Sequence, residues 1–181
     1  MCNEFEYFVT LTLSPDKYDR YNLSKYIKDL GQMIRNYRRD NKVNIQYLLI
    51  PEQHQDGAWH MHGLLKGLPL SHLRINENGY YEWEKYTERF GYMSIDLIRD
   101  KIAVGKYITK YITKSICESG VTERNKKLYY ATRGLKKAKK IKEGTLTEKE
   151  ILSIPWKYEN DYIKSIDLTA EELEKILKLL K

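Results

Sequence analysis

Two segments of the chain hold side chains whose types and spacing suit one shared chemistry. In Trp59-His60-Met61-His62-Gly63-Leu64-Leu65 two imidazoles stand two residues apart in an apolar run. Successive side chains of a strand point to opposite faces, so His60 and His62 share one face while Met61 takes the other. In Tyr107-Ile108-Thr109-Lys110-Tyr111-Ile112-Thr113-Lys114 two phenols stand four residues apart, and at helical spacing they stack on one face. Paired imidazoles can hold a divalent metal, and a phenol can attack phosphorus. Such parts could cut a DNA strand and rejoin it through a phosphotyrosine. The same spacings also suit polar residues on a half-exposed strand and tyrosines at the rim of a core.

The histidine strand predicts a third ligand. Gly57 suits the left-handed position of a three-residue hairpin loop, Gln55-Asp56-Gly57. His54 then pairs with Ala58, and the register sets Glu52 opposite His60, on the face of both histidines. A two-residue Asp56-Gly57 turn would shift the register by one and turn Glu52 to the wrong face. Two neutral imidazoles and one carboxylate, with positions open for water and phosphate, suit Mg²⁺ or Mn²⁺ on phosphodiester chemistry. Zn²⁺ would bind too, though more often with a further Cys or His. His54, on the same face but farther from His62, is the reserve ligand.

The tyrosine helix repeats one unit, because Tyr107 and Tyr111 are each followed three residues later by a lysine, Lys110 and Lys114. Residues three apart are helical neighbours, so each phenol has an ammonium within reach. A phenol with a pKa of about 10 is a poor nucleophile at neutral pH. A nearby cation and a metal-polarised phosphate favour its attack by stabilising the developing charge. Ile108 and Ile112 form the apolar stripe that seats the helix on the sheet.

These segments need a scaffold. Residues 5–13 read as a strand with Thr10 and Thr12 on one face and Val9, Leu11 and Leu13 on the other. Over 22–40, Leu23, Tyr26, Ile27, Leu30, Ile34 and Tyr37 recur at helical spacing, with Lys25, Lys28, Arg35, Arg38 and Arg39 on the exposed face. Strands follow over 43–50 and 59–66, then a short helix over 68–73. Residues 75–90 form an aromatic, charged insertion whose Tyr80, Tyr81, Trp83 and Tyr86 suit a local cluster better than base stacking. A fourth strand covers 92–98, the tyrosine helix about 100–117, a fifth strand 128–132 and another 162–166. A closing helix starts at Thr169, where Thr169 and Glu172 make a capping-box pattern. The order implies an α+β fold, an antiparallel sheet with helices packed on it, in a single domain over 1–181.

The motifs together resemble the HUH endonucleases, specifically the rolling-circle replication initiators (Rep proteins) with two tyrosines. Phe8-Val9-Thr10-Leu11-Thr12 stands as the first Rep motif, Trp59-His60-Met61-His62 as the second, and Tyr107-x-x-Lys110-Tyr111-x-x-Lys114 as the third. Glu52 falls where several Reps carry their acidic ligand. The wider pattern, with Pro51-Glu52-Gln53-His54, is similar to phage and plasmid replication proteins related to the gene II protein of filamentous phages. The resemblance spans residues 5–135 and leaves 136–181 as an extension ending in a helix. It implies a five-stranded antiparallel sheet with the histidines on its central strand. It also implies site-specific nicking of single-stranded DNA at a replication origin through a 5′-phosphotyrosine. Tyr107 and Tyr111 would be nucleophiles, Lys110 and Lys114 would assist by charge, and Glu52, His60 and His62 would hold Mg²⁺ or Mn²⁺. Relaxases order the motifs oppositely, and small transposases of this order usually lack the second tyrosine.

The bulk of the chain fits a polyanionic partner, with a formal charge of +7 and a pI near 9.1. Residues 126–142 hold eight Lys or Arg and no acid, interleaved with Tyr129 and Tyr130, a mixture that suits phosphate contact and base stacking and equally a solvated surface strand and helix. The expected DNA contacts are Thr10, Thr12, Lys126, Lys127, Tyr129, Arg133, Lys136 and Lys137. Cys2 and Cys117 form no metal spacing and no disulfide framework, which suits a reducing cytoplasm, here that of a bacterial host. No signal-peptide pattern and no membrane-length apolar run occurs. No Gly-x-x-x-x-Gly-Lys phosphate loop occurs either, so helicase and polymerase are expected from the host. The rival readings are a transposase or relaxase of the same superfamily, and a catalytically silent nucleic-acid-binding domain.

Overall fold

The computed structural model describes residues 3–118, 127–137, 139, 142–159, 164–166 and 168–180, with backbone only for 113–118, 158–159 and 164–165. It divides into two compact units, 1–136 and 137–181. The first unit runs β1 (Tyr7–Leu13), α1 (Leu23–Asn41), β2 (Gln46–Gln53), β3 (Trp59–Lys66), a 3-10 turn (Leu70–His72), β4 (Arg74–Ile75), β5 (Tyr81–Glu82), α2 (Glu84–Arg89), β6 (Gly91–Leu97), α3 (Lys101–Glu118) and β7 (Tyr130–Ala131). Its strands form one sheet in the order β4-β5-β6-β1-β3-β2-β7, each neighbouring pair antiparallel.

The fold is α+β as the sequence implies, but the sheet has seven strands rather than five. The additional two are β4 and β5, two residues each, which pair through Arg74–Glu82 and Ile75–Tyr81. A turn built on Asn76, whose side chain accepts from Asn78 N and Tyr80 N, joins them. Strands this short carry no legible alternation. Of the insertion's aromatics, Trp83 and Tyr86 belong to the main core and Tyr81 packs against it, while Tyr80 is exposed.

Alternation sorts the sheet into two faces. Tyr7, Val9, Leu11 and Leu13 of β1 and Met61 and Leu65 of β3 face α1, whose Tyr26, Leu30, Met33 and Ile34 complete that core. Asn22 caps α1 by accepting from Lys25 N. On the opposite face Ile50 and Leu64 meet Phe5 and Ile108, with Ile112 packed alongside, so α3 is seated by its isoleucines. Tyr111 packs against the edge of the same cluster, while Tyr107 stays exposed.

Strand β2 starts later than its apolar run and continues through Pro51 to Gln53. His54 N donates to Ala58 O, so in the alternating antiparallel pattern His54, Glu52 and Ile50 make the hydrogen-bonded pairs with β3. Pro51 therefore turns its missing N–H away from β3, toward the side where β7 pairs only with Leu48 and Leu49. Proline costs the ladder nothing there. Gly63 has the opposite sensitivity, because a Cβ on it would fall on the Leu48 carbonyl oxygen and the Leu49 side chain. Gly63→Ala should destabilise the protein by roughly 1–3 kcal/mol, read from the midpoint of urea unfolding.

The second unit contains α4 (Glu148–Ser153), β8 (Tyr158–Glu159), β9 (Lys164–Ser165) and α5 (Ala170–Leu179), with β8 and β9 forming a separate two-stranded sheet. Thr169 and Glu172 make the expected capping box. Thr147 and Glu150 make another at α4, a helix absent from the sequence expectations. No helix among the described residues is long and apolar enough to cross a membrane.

Candidate functional site

The β2–β3 hairpin sets the site. Gly57 has φ +84°, in the left-handed region, and its N–H donates to His54 O, closing the loop Gln55-Asp56-Gly57. Asp56 braces that loop by accepting from Ala58 N and from the Arg20 guanidinium at 2.6 Å. The resulting register pairs Glu52 with His60 and Ile50 with His62.

Three polar groups converge there. His60 Nε2 lies 2.8 Å from Glu52 Oε2 and 2.9 Å from His62 Nε2, and His62 Nε2 lies 3.1 Å from the same carboxylate oxygen. Glu52, His60 and His62 could hold a metal ion, since each offers one ligand atom to a common point. Burial, and next the neighbouring His60, pushes the His62 pKa down to about 4, against the upward pull of Glu52. The ring is thus neutral at ordinary pH, the form that ligates. The other ring nitrogen, Nδ1, lies 3.2 Å from Thr10 Oγ1. Thr10, one of the expected DNA contacts, thus also stands within hydrogen-bond reach of a triad histidine.

The depressed His62 pKa has a consequence for stability. Between about 6.5 and 4 the unfolded chain binds a proton that folded His62 refuses, so stability falls as pH drops through that window. Urea midpoints of metal-free protein should decline from pH 6.5 toward 5, and His62→Gln should flatten that slope.

Helix α3 brings both phenols to this point. Asp100 opens it by accepting from Ile102 N and Ala103 N. The Tyr111 ring stacks on His62, with centroids 4.1 Å apart and planes 23° apart. Tyr107 meets Phe8 edge-on at 5.3 Å, and the two tyrosine hydroxyls share a 2.7 Å hydrogen bond. Burial, then the Tyr107 bond and the Glu52 charge, raises the Tyr111 pKa above the usual phenol range. Lys110 is exposed beside them, and the Lys114 side chain lies outside the described residues.

The remaining expected contacts are scattered. Thr12 is half-buried and pairs across the strands with His60. Lys127, Tyr129 and Arg133 are exposed around β7, and Thr132 pins that segment to β2 through Tyr47 N. Lys136, also exposed, exchanges backbone hydrogen bonds with the Asn3 side chain. Lys137 is an exposed residue of the second unit, and Lys126 lies outside the described residues. Reserve ligand His54 is exposed, with its ring centroid 4.0 Å from that of His60. Sequence reasoning placed Asp56 in the loop but missed its brace, Arg20, which sits in no periodic or repeated pattern.

No curated protein and no solved structure matches the chain. A family model, that of the replication-associated protein ORF2/gene II protein family, matches residues 6–116, well over half of the chain. That span runs from β1 through most of α3 and contains Glu52, His60, His62, Tyr107 and Tyr111. With its His-Glu triad beneath a tyrosine pair, the chain belongs to this family of replication-associated proteins.

Proposed function

We propose that the protein is an HUH-type rolling-circle initiator, which nicks and rejoins single-stranded DNA at an origin through a 5′-phosphotyrosine. The observation that carries this is the stacking of Tyr111 on His62, which sets a nucleophile beside a metal-competent triad. Two imidazoles and one carboxylate, their ligand atoms 2.8, 2.9 and 3.1 Å apart, would suit Mg²⁺ or Mn²⁺ with positions left for water and phosphate.

Glu52, His60 and His62 would hold the ion, which when bound would supply positive charge to the scissile phosphate. Thr10 Oγ1 can accept from His62 Nδ1–H, which would orient the ring with Nε2 toward the triad. A tyrosine oxygen bonds to phosphorus as the bond to the 3′ oxygen breaks, leaving a phosphotyrosine on the 5′ side and a 3′-OH. Exposed Tyr107, bonded to the Tyr111 hydroxyl, gives the phenolic proton a path to water. Lys110 and Lys114 add favourable charge. The second tyrosine serves the second cut, which releases the displaced strand for circularisation, with helicase and polymerase supplied by the host.

Labelled single strands from the replicon carrying the gene, incubated with Mn²⁺ and run on a denaturing gel, test this. A covalent adduct that EDTA suppresses is the expected result. Binding without an adduct would leave a DNA-binding domain with no strand-transfer chemistry.

A further inference from the structure

A cavity of about 580 Å³ opens at the hairpin end of the sheet, and Glu52 and His60 belong to both the cavity wall and the triad. That volume lies within the range of ligand pockets, roughly 300–1,000 Å³. Thr12, Arg20, Gln53, Asp56 and Trp59 line it. Arg20 is held at both ends, its guanidinium on Asp56 at 2.6 Å and its carbonyl accepting from Trp59 N at 2.8 Å. Gln53 is fixed by donating to Gly57 O at 2.9 Å. The wall thus mixes fixed donors with carboxylate acceptors beside an indole. Carboxylates disfavour a phosphate, whereas the edge of a neutral nucleobase offers both donors and acceptors.

Position supplies the rest. Tyr111, His62, His60 and His54 form a row of rings with successive centroid separations of 4.1, 4.7 and 4.0 Å. The nucleophile stands at one end of that row and the cavity, which His54 also lines, at the other. Phosphoryl transfer runs in line, with attacking and leaving oxygens on opposite sides of phosphorus. A phosphate seated at the triad and attacked from the tyrosine side expels its leaving oxygen toward the cavity.

We propose that this cavity binds the nucleotide immediately 5′ of the cut, whose 3′ oxygen leaves, and reads its base; this rests on the nicking function above. In the step, the tyrosine oxygen–phosphorus bond forms, the phosphorus–O3′ bond breaks, and O3′ takes up a proton from water. The new 3′-OH stays seated in the cavity, in place for the reverse reaction that rejoins the strand.

Covalent capture from a pool of randomised single strands in Mn²⁺, followed by sequencing and mapping of the cut, tests the proposal. Wild-type captures should show a base preference at the first nucleotide 5′ of the cut. Arg20→Ala and Gln53→Ala, both outside the triad, should each lower that preference by roughly ten-fold while retaining preferences elsewhere. Thermal melts of the two variants check that they fold. Captures with no preference at that position, or with the same preference in both variants, overturn the cavity assignment alone. A wild-type protein that captures no strand overturns the nicking function and the assignment together.

Discussion

Replacing Tyr107 and Tyr111 together by phenylalanine should abolish the covalent protein–DNA adduct, lowering its yield by roughly 10³-fold or more. The double variant keeps both rings, so the stack on His62 and the edge contact with Phe8 survive. What it loses is the bond between the two hydroxyls, worth about 1 kcal/mol on an exposed helix face. A protein that melts near the wild-type temperature but forms no adduct has therefore lost its nucleophiles and not its fold. The single variants should differ. Tyr111 is half-buried against the triad, whereas Tyr107 is 46% exposed one turn away. Tyr111→Phe should thus remove most of the first cut, and Tyr107→Phe should slow that cut by losing the proton path and impair the second transfer more strongly. Denaturing gels with a single-site substrate, and then with a two-site substrate, separate these outcomes. An adduct that persists in the double variant would discard the assignment.

The sequence disclosed the His-Glu triad and the tyrosine helix better than their surroundings, for physical reasons. The partnership of Glu52 with the histidines was legible because one loop length decides it. Gly57 made the three-residue loop the consistent choice, and the strand period of two did the rest. The seating of α3 was legible because Ile108 and Ile112 occupy a different stripe from the tyrosines. Strands β4 and β5 were hidden by their length, and the end of β2 was hidden because Pro51 looks like a terminator. Only the hydrogen-bond phase of the hairpin shows that Pro51 faces away from its partner strand. Thr10 had a polar side chain on the correct face, yet its tie to His62 depends on a cross-strand register fixed 52 residues later. The cavity was the least legible feature. Arg20 and Asp56 come from two loops that meet only after folding, and pattern cannot report on such a meeting.

Removing one triad ligand gives the second large effect. Mn²⁺ should raise the thermal midpoint of the wild-type protein and leave that of Glu52→Gln nearly unmoved. At a metal concentration about a hundred times Kd, a site present only in the folded state stabilises it by about 2.7 kcal/mol. That corresponds to several degrees for a chain of this size. Glutamine keeps the shape of the side chain and an oxygen for His60 Nε2, now 2.8 Å from the carboxylate, so the metal-free fold should hold. It removes the negative charge that a divalent ion requires beside two neutral imidazoles. Nicking should fall with the metal response, while retention of single-stranded DNA in EDTA should change little, because no ion is bound in that assay. His60→Ala should behave alike on both readouts. Tyr107 and Tyr111 variants should retain the full Mn²⁺ shift, because their hydroxyls are not among the three ligand atoms. A wild-type midpoint indifferent to Mn²⁺ and Mg²⁺ alike would mean that the triad is a hydrogen-bonded cluster, and the nucleophile would then need another source of charge for the phosphate.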